Sequence, residues 1–140
     1  KNGKSFYHSL SELANSAQLR DLFAYLSKEE EKHMNKFEDI LESSGGYQIS
    51  ELYYATDYMG YMKAIADEIV FRRDISITEL AKSVRSIPEA IGKAIGFEKD
   101  TILFLYEMLE ILDNKNDKET IKKLINEEKE HIRKLSALNN

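Results

Sequence analysis

The sequence repeats itself at a distance of 98 residues. When the chain is shifted against itself by that distance, residues 6–37 align with residues 104–135 without a gap. The matched pairs are Phe6 with Phe104, Leu10 with Met108, Leu13 with Ile111, Leu26 with Leu124, Glu30 with Glu128, His33 with His131, and Phe37 with Leu135. Asn15, which interrupts the first copy, aligns with Asp113 in the second. The repeat therefore predicts two copies of one structural unit.

The first copy has the pattern of a helical hairpin. Apolar residues recur at helical spacing from near the start to about residue 14, and again over about residues 17–43. Asn15 and Ser16 make the short break between these two segments, and Gly45 and Gly46 close the second. A break this short makes the two helices antiparallel neighbours.

The second copy carries clear helix start and stop signals. Ser86 and Glu89 form a capping box around Pro88, which opens a helix that continues to about residue 112. Polar residues at 113–116 then break the chain. The last helix is expected over about residues 118–138, with Asn116 or Asp117 as its N-cap.

The connection between the hairpins is long, at about forty residues, which is too many for a tight turn. Residues 51–71 have a helical pattern, and Ser76 and Glu79 form another capping box that opens a short helix to about Val84. Two short-looped hairpins with a long middle connection are the topology of ferritin-like bundles. We therefore predict an all-α, ferritin-like four-helix bundle. The single domain spans residues 1–140, with hairpin one at 1–44, a partly helical crossover at 45–86 and hairpin two at 87–140.

The charge and the composition of the chain argue against several classes of partner. The net charge of −5 gives no broad basic surface, so we expect no nucleic-acid partner. The longest apolar runs, such as residues 102–106, are far shorter than the roughly 20 residues that cross a bilayer, and we expect no membrane span. The chain has no Cys, which is compatible with a reducing cytoplasm, and we predict a cytoplasmic location.

Two matching motifs carry the candidate chemistry. Glu30 and Glu128 each lie three residues before a histidine, His33 and His131 respectively. Residues three apart on a helix are surface neighbours, so a carboxylate and an imidazole spaced in this way can bind one metal ion. The alternative is that a Glu and a His in a charge-rich segment lie on a solvated helix face.

The helical phase of both motifs favours an inward position. In each helix, apolar residues at helical spacing form a stripe before and after the motif, and the Glu and the His of the motif occupy positions of that stripe. The flanking apolar residues are Leu22, Leu26, Phe37 and Ile40 on one helix, and Leu124, Leu135 and Leu138 on the other. An unpaired buried carboxylate is costly, so these motifs need a compensating partner, and a metal satisfies both at once.

Glu98 adds a carboxylate from a third helix. It is in register with the apolar residues Ile91, Ile102, Leu105 and Leu109, so it too is expected to point inward. Together with the two motifs it gives three carboxylates and two imidazoles, a donor set that suits iron or manganese. A structural zinc is an alternative that would not need so many oxygen ligands.

The repeat also predicts a sixth ligand. The position equivalent to Glu98 under the 98-residue shift is the one immediately before Lys1. A glutamate at that position would complete a symmetric set of ligands. Glu12 does not replace it easily, because twelve residues of helix cover about 18 Å.

These residues resemble the rubrerythrin-like branch of the ferritin-like di-iron carboxylate proteins, whose helices carry Glu, E-x-x-H, Glu and E-x-x-H in that order. Residues 97–104 and 127–132 are similar to helix segments of that group. The resemblance implies a di-iron site, with manganese or zinc as alternative metals. It implies the ligands Glu30, His33, Glu98, Glu128 and His131. It also implies that Tyr7 and Tyr106 hydrogen-bond the ligating carboxylates, whereas the residues themselves equally allow ordinary core packing.

The sequence departs from full rubrerythrins in two ways. Thr101 occupies the position, one turn after Glu98, where they usually carry a second carboxylate, and this puts their peroxide-linked shift of coordination in doubt. The absence of Cys removes the C-x-x-C motifs that hold their small iron domain, so a built-in electron donor is missing. The chain is therefore similar to a single-domain, rubrerythrin-like protein.

The resemblance implies a rubrerythrin-like peroxidase that reduces hydrogen peroxide in defence against oxidative stress, using an external donor such as a rubredoxin-like protein. Hydrogen peroxide or dioxygen would be the small-molecule substrate, and the two-hairpin build favours a homodimer. One alternative is a ferroxidase or iron-handling protein that oxidises ferrous ions and passes them on. Another is a structural bundle with an incomplete metal site.

Overall fold

The structure is a computed structural model that describes residues 2–43, 60–61 and 77–139. Five α-helices and no strand occur in these residues, which confirms the all-α prediction. The helices are α1 (Asn2–Leu13), α2 (Ala17–Ser43), α3 (Ile77–Lys82), α4 (Ile87–Ile111) and α5 (Lys115–Ser136), and a 3₁₀ turn at Ala137–Asn139 follows the last. None of the described helices has both the length and the apolarity needed to cross a membrane.

The helix starts follow from local capping. The hydroxyl of Ser16 accepts a hydrogen bond from the Leu19 backbone N–H (3.2 Å) at the start of α2. At α4 the Ser86 hydroxyl accepts from the Glu89 N–H (3.3 Å), while the Glu89 carboxylate accepts from the N–H of Arg85 (2.9 Å). The bonds to Ser16 and Ser86 satisfy backbone donors in the first turns of α2 and α4, and the bond from Arg85 completes the capping box.

The start of α5 differs from the sequence prediction. The helix begins at Lys115 rather than near residue 118, and its cap is Asn114 rather than Asn116 or Asp117. The Asn114 side-chain oxygen accepts hydrogen bonds from the N–H groups of Asn116 (2.8 Å) and Asp117 (3.2 Å). One residue thereby satisfies two free donors, and this favours the earlier start.

The helices pair as two hairpins. Helix α1 packs on α2 and α4 packs on α5, with α2 against α5 and α1 against α4 across the bundle. The connections within the hairpins are short, and they force antiparallel neighbours. Of the predicted crossover the structure describes α3, which packs on α1, whereas the helix predicted at residues 51–71 lies largely outside the described residues.

The apolar core is divided along the bundle into two clusters. The first contains Phe6, Tyr7, Leu10, Leu19, Phe23, Leu26, Ala81, Ala90, Ile91, Ala94 and Leu135. The second contains Ile40, Leu105, Met108, Leu112, Ile121, Leu124 and Ile125. Helices α2, α4 and α5 contribute residues to both clusters. Between these contributions, each helix carries buried or partly buried polar residues, which are Glu30, His33, Glu98, Glu128 and His131. The fold thus places a polar layer at mid-height in the bundle.

Candidate metal centre

The polar layer contains the five predicted ligands. His33 is 4% exposed, and Glu98, Glu128 and His131 are each 1% exposed. Glu30 is partly buried, with 16% of its side chain exposed. Ligand atoms of Glu30, Glu98, Glu128 and His131 all lie within 4.8 Å of one another, close enough to share one ion.

Contacts within and between helices hold this arrangement. On α5, Nδ1 of His131 lies 2.9 Å from Oε2 of Glu128, as expected for residues three apart. On α2 the corresponding distance, from His33 Nδ1 to Glu30 Oε1, is 3.9 Å. Across the bundle, His33 Nδ1 lies 2.8 Å from Oε1 of Glu128, and His131 Nδ1 lies 3.6 Å from Oε1 of Glu98. The Nδ1 atoms of both histidines therefore face the carboxylates.

The two imidazole rings stack on each other, which brings the two copies of the motif together. The ring centroids of His33 and His131 are 5.4 Å apart, and the rings are inclined by 16°. The repeat equivalence seen in the sequence is therefore a structural one: the two E-x-x-H motifs face each other across α2 and α5. They form two halves of one site.

Burial raises the pKa of two of these carboxylates. Desolvation, followed by the charge of Glu128, raises the pKa of Glu30 to about 7. The pKa of Glu98 is raised to about 8, again chiefly by burial, with Glu128 adding to the effect. These carboxyl groups hold protons near neutral pH because their charges have been removed from water.

The other three side chains form a charged group. Burial would raise the pKa of Glu128, but hydrogen bonds with His131 and His33 outweigh it and lower that pKa to about 2. Burial likewise opposes charging of His131, yet its bonds to Glu128 and Glu98 raise its pKa to about 10. The pKa of His33 is also raised, because Glu128 outweighs the effect of burial.

The donor set matches a hard or borderline divalent cation. It consists of carboxylate oxygens and imidazole nitrogens, which suit iron and manganese, and the described residues provide no thiolate. Among those residues no buried side-chain polar atom lacks a hydrogen-bond partner. The side chains of the cluster therefore satisfy one another's hydrogen bonds through their own protons, and a bound cation would displace those protons.

Tyr7 and Tyr106 occupy very different places. Tyr7 is buried on α1, and its hydroxyl donates a hydrogen bond to Oε1 of Glu98. Burial, then the charge of Glu98, raises the pKa of Tyr7 well above its usual value, so the phenol keeps its proton. Tyr106 does not make the predicted hydrogen bond to a carboxylate of the cluster. Its side chain is 47% exposed, and its hydroxyl accepts a hydrogen bond from Lys129 (2.9 Å). The repeat equivalent of Tyr7 is Leu105, and the next residue points about 100° away around the helix.

Gly3 leaves room for the Glu30 side chain. The Glu30 carboxyl group lies where a Cβ on residue 3 would stand, so a larger residue at this position would collide with it. Glycine is otherwise unfavourable inside a helix. Its presence in α1 therefore corresponds to a close approach of α1 to the Glu30 side chain.

Sequence reasoning missed two carboxylates on the outer side of the histidines. Glu127 Oε2 lies 3.0 Å from His33 Nε2. Glu29 has a carboxylate oxygen within 4.8 Å of ring nitrogens of both His33 and His131. The signal was present, because Glu29 and Glu127 are equivalent under the 98-residue shift and each directly precedes a predicted ligand.

A surface cavity of about 220 Å³ reaches the centre between α2 and α5. It is lined by Tyr25, Glu29, Asn126, Glu127, Glu130 and His131. The ring of Tyr25 meets the His131 ring edge-on, with centroids 6.2 Å apart. The cavity has room for small polar molecules and has acidic walls.

Comparison with known families agrees with this geometry. The family model for rubrerythrin matches residues 1–139, nearly the whole chain. The chain belongs to the rubrerythrin family. Rubrerythrins are ferritin-like di-iron proteins of oxidative-stress defence or iron handling, and the carboxylate and histidine groups described above could hold such metals. Searches among curated proteins and among solved structures each find no match.

Proposed function

We propose that this rubrerythrin-family protein reduces hydrogen peroxide at a di-iron centre, using electrons from an external donor. The observation that supports the proposal most strongly is the buried layer of three carboxylates and two stacked imidazoles. Glu30, His33, Glu98, Glu128 and His131 would hold the metals. A pair of ferrous ions, when bound, would supply the two electrons that convert hydrogen peroxide and two protons into two water molecules.

The surrounding side chains would keep the ligands in place during this reaction. The Tyr7 hydroxyl donates to Glu98 and so fixes the rotamer of that carboxylate. Because the pKa of Tyr7 is raised, the phenol remains a donor at physiological pH. The apolar clusters above and below the polar layer exclude bulk water from it.

The cavity beside His131 is the proposed route for the substrate. Its volume of about 220 Å³ accommodates several molecules of the size of hydrogen peroxide, given that a water molecule takes up about 30 Å³. Its lining carboxylates and amide provide hydrogen-bond partners for a polar peroxide. Tyr25, which is 38% exposed, borders this opening and packs on His131.

A separate molecule is proposed as the electron donor. These 140 residues contain no Cys and hence no cysteine-bound iron site that could act as an internal donor. A rubredoxin-like protein is the proposed partner for returning the iron to the ferrous state.

Turnover at fixed iron tests the proposal. The protein is loaded anaerobically with ferrous ions, freed of excess iron and mixed with hydrogen peroxide and a chemical reductant. A peroxidase consumes many equivalents of peroxide per bound iron pair. His131→Ala should abolish this turnover, whereas Glu119→Ala, which removes an exposed charge paired with Lys122, should leave it intact.

Two results would contradict the proposal. Peroxide consumption that stops in proportion to the iron supplied would instead indicate an iron-handling protein. Ferrous binding that saturates well below two ions per chain would indicate a structural bundle with an incomplete site.

A further inference from the structure

Two consecutive glutamates of α5 bind the two nitrogens of one histidine. His33 Nδ1 lies 2.8 Å from Oε1 of Glu128, on the inner side that faces the other carboxylates. His33 Nε2 lies 3.0 Å from Oε2 of Glu127, on the outer side. The imidazole is almost fully buried, at 4% exposed, so these two carboxylates determine the orientation of its ring.

Glu127 is itself held by Lys36. The Lys36 ammonium donates to both oxygens of Glu127, at 3.1 and 2.9 Å, from one turn beyond His33 on α2. A carboxylate paired in this way with an ammonium is ionised and can only accept hydrogen bonds. The hydrogen between Glu127 and His33 must therefore be on Nε2.

We propose that Glu127 is a positioning residue, which keeps the proton of His33 on Nε2 and so presents an unprotonated Nδ1 to the metal. This inference rests on the metal centre proposed above. A metal-binding histidine commonly donates its other N–H to a carboxylate, which fixes the tautomer and makes the ring a stronger ligand. Lys36 supports this arrangement, because its bonds to both oxygens of Glu127 prevent the carboxylate from rotating away.

The second half of the centre has a different arrangement. Glu29, the repeat equivalent of Glu127, is bonded by Lys32 at 2.6 Å. Lys134, the repeat equivalent of Lys36, donates instead to the Tyr25 hydroxyl (2.9 Å), and the Tyr25 ring meets His131 edge-on. Of the two histidines, it is thus His33 whose outer nitrogen is bonded to a lysine-held carboxylate. This asymmetry makes His131 an internal control in the same protein.

The affinity for zinc ion tests the proposal, because zinc binds imidazole and carboxylate without redox chemistry. Zinc binding by competition with a chromophoric chelator is compared for the wild type, Glu127→Ala, Glu127→Gln and Glu119→Gln. Loss of the acceptor in Glu127→Ala should weaken binding about 10- to 100-fold. Glu127→Gln should lie between this variant and the wild type, since the amide oxygen still accepts. Glu119→Gln removes one charge from the same helix, at an exposed residue that pairs with Lys122 and not with His33, and should bind like the wild type.

Proton NMR of the zinc-loaded protein supplies a readout that general destabilisation would not move. In the wild type the Nε2-bound proton of His33 should be shifted downfield and exchange slowly with water, because it is donated to a carboxylate. In Glu127→Ala that resonance should be lost by exchange, while the His131 ring protons stay unchanged. Equal zinc affinity for Glu127→Ala and Glu119→Gln, with an unchanged His33 resonance, would overturn this inference alone. A wild-type protein that takes up no zinc through His33 would overturn the metal centre as well.

Discussion

Metal binding by the buried centre should release protons, and the number released can be worked out from the site. At pH 7 the carboxyl groups of Glu98 and Glu30, with pKa values raised to about 8 and about 7, are mostly and about half protonated respectively. His131, with a pKa raised to about 10, is fully protonated. Glu128 already carries its charge. An ion bound by these four residues should therefore displace about two to three protons.

Calorimetric titration with Mn²⁺ in buffers of different ionisation enthalpy counts these protons directly. The apparent affinity should rise with pH, by about a hundredfold or more between pH 6.5 and 7.5, because each released proton contributes about tenfold per pH unit. Exposed carboxylates with an ordinary pKa of about 4.3 release almost no protons at neutral pH. Proton release below about one per ion, with a flat pH dependence, would show that the metal binds elsewhere and would refute the assignment.

The same protons determine the stability of the metal-free protein. A carboxyl whose pKa is raised on folding stabilises the fold below its unfolded pKa, and this contribution is lost as pH rises through the folded pKa. For Glu30 and Glu98 that loss spans the range from about 4.5 to about 8, and for His131 it extends from about 6.5 to about 10. The melting temperature without metal should therefore fall between pH 6 and pH 8.5, and saturating Mn²⁺ should reverse the trend. A metal-free melting temperature that rises over this range would contradict the burial of these groups.

Three substitutions probe individual contacts. Gly3→Ala should leave the metal-free stability unchanged or improve it by up to about 1 kcal/mol, as helix propensity favours Ala, yet weaken Mn²⁺ binding by displacing Glu30; unchanged binding would refute the close approach. Tyr7→Phe removes the hydroxyl donated to Glu98 and should weaken Mn²⁺ binding about 10- to 100-fold, measured by calorimetry; an unaltered affinity would refute its role. Leu124→Ala should cost about 2–5 kcal/mol in chemical denaturation, because Leu124 is 0% exposed, and a loss below about 1 kcal/mol would contradict the packing.

Much of the fold is predictable from the sequence because helix boundaries depend on local chemistry. The Ser86 capping box marks the start of α4 to within a residue, and Asn15 and Ser16 mark the break between α1 and α2. The start of α5 was misplaced because Asn114, Asn116 and Asp117 are all competent caps. Which of them accepts from the free N–H groups depends on the backbone geometry of the preceding turn.

The clustering of the candidate ligands is predictable for a different reason. Polar residues that continue an apolar stripe must be buried, and a repeat that aligns two such interruptions predicts that they meet. The contacts around the ligands are less accessible to this reasoning. Tyr106 directly follows the buried Leu105, yet its side chain faces solvent. Glu127 is adjacent to Glu128, yet the two contact different nitrogens of His33. The contacts of these side chains depend on the rotation of a helix by about 100° per residue and on the distance between two helices. The spacing of residues in the sequence determines neither of them accurately enough.

The central claim is that the buried layer between the two apolar clusters is a metal centre. A crystal structure of the Mn²⁺-loaded protein, with an anomalous difference map collected at the manganese edge, tests it most directly. Two strong peaks are predicted among Glu30, His33, Glu98, Glu128 and His131, with Nδ1 of each histidine facing the metal. An empty layer, or peaks confined to surface carboxylates, would contradict the claim.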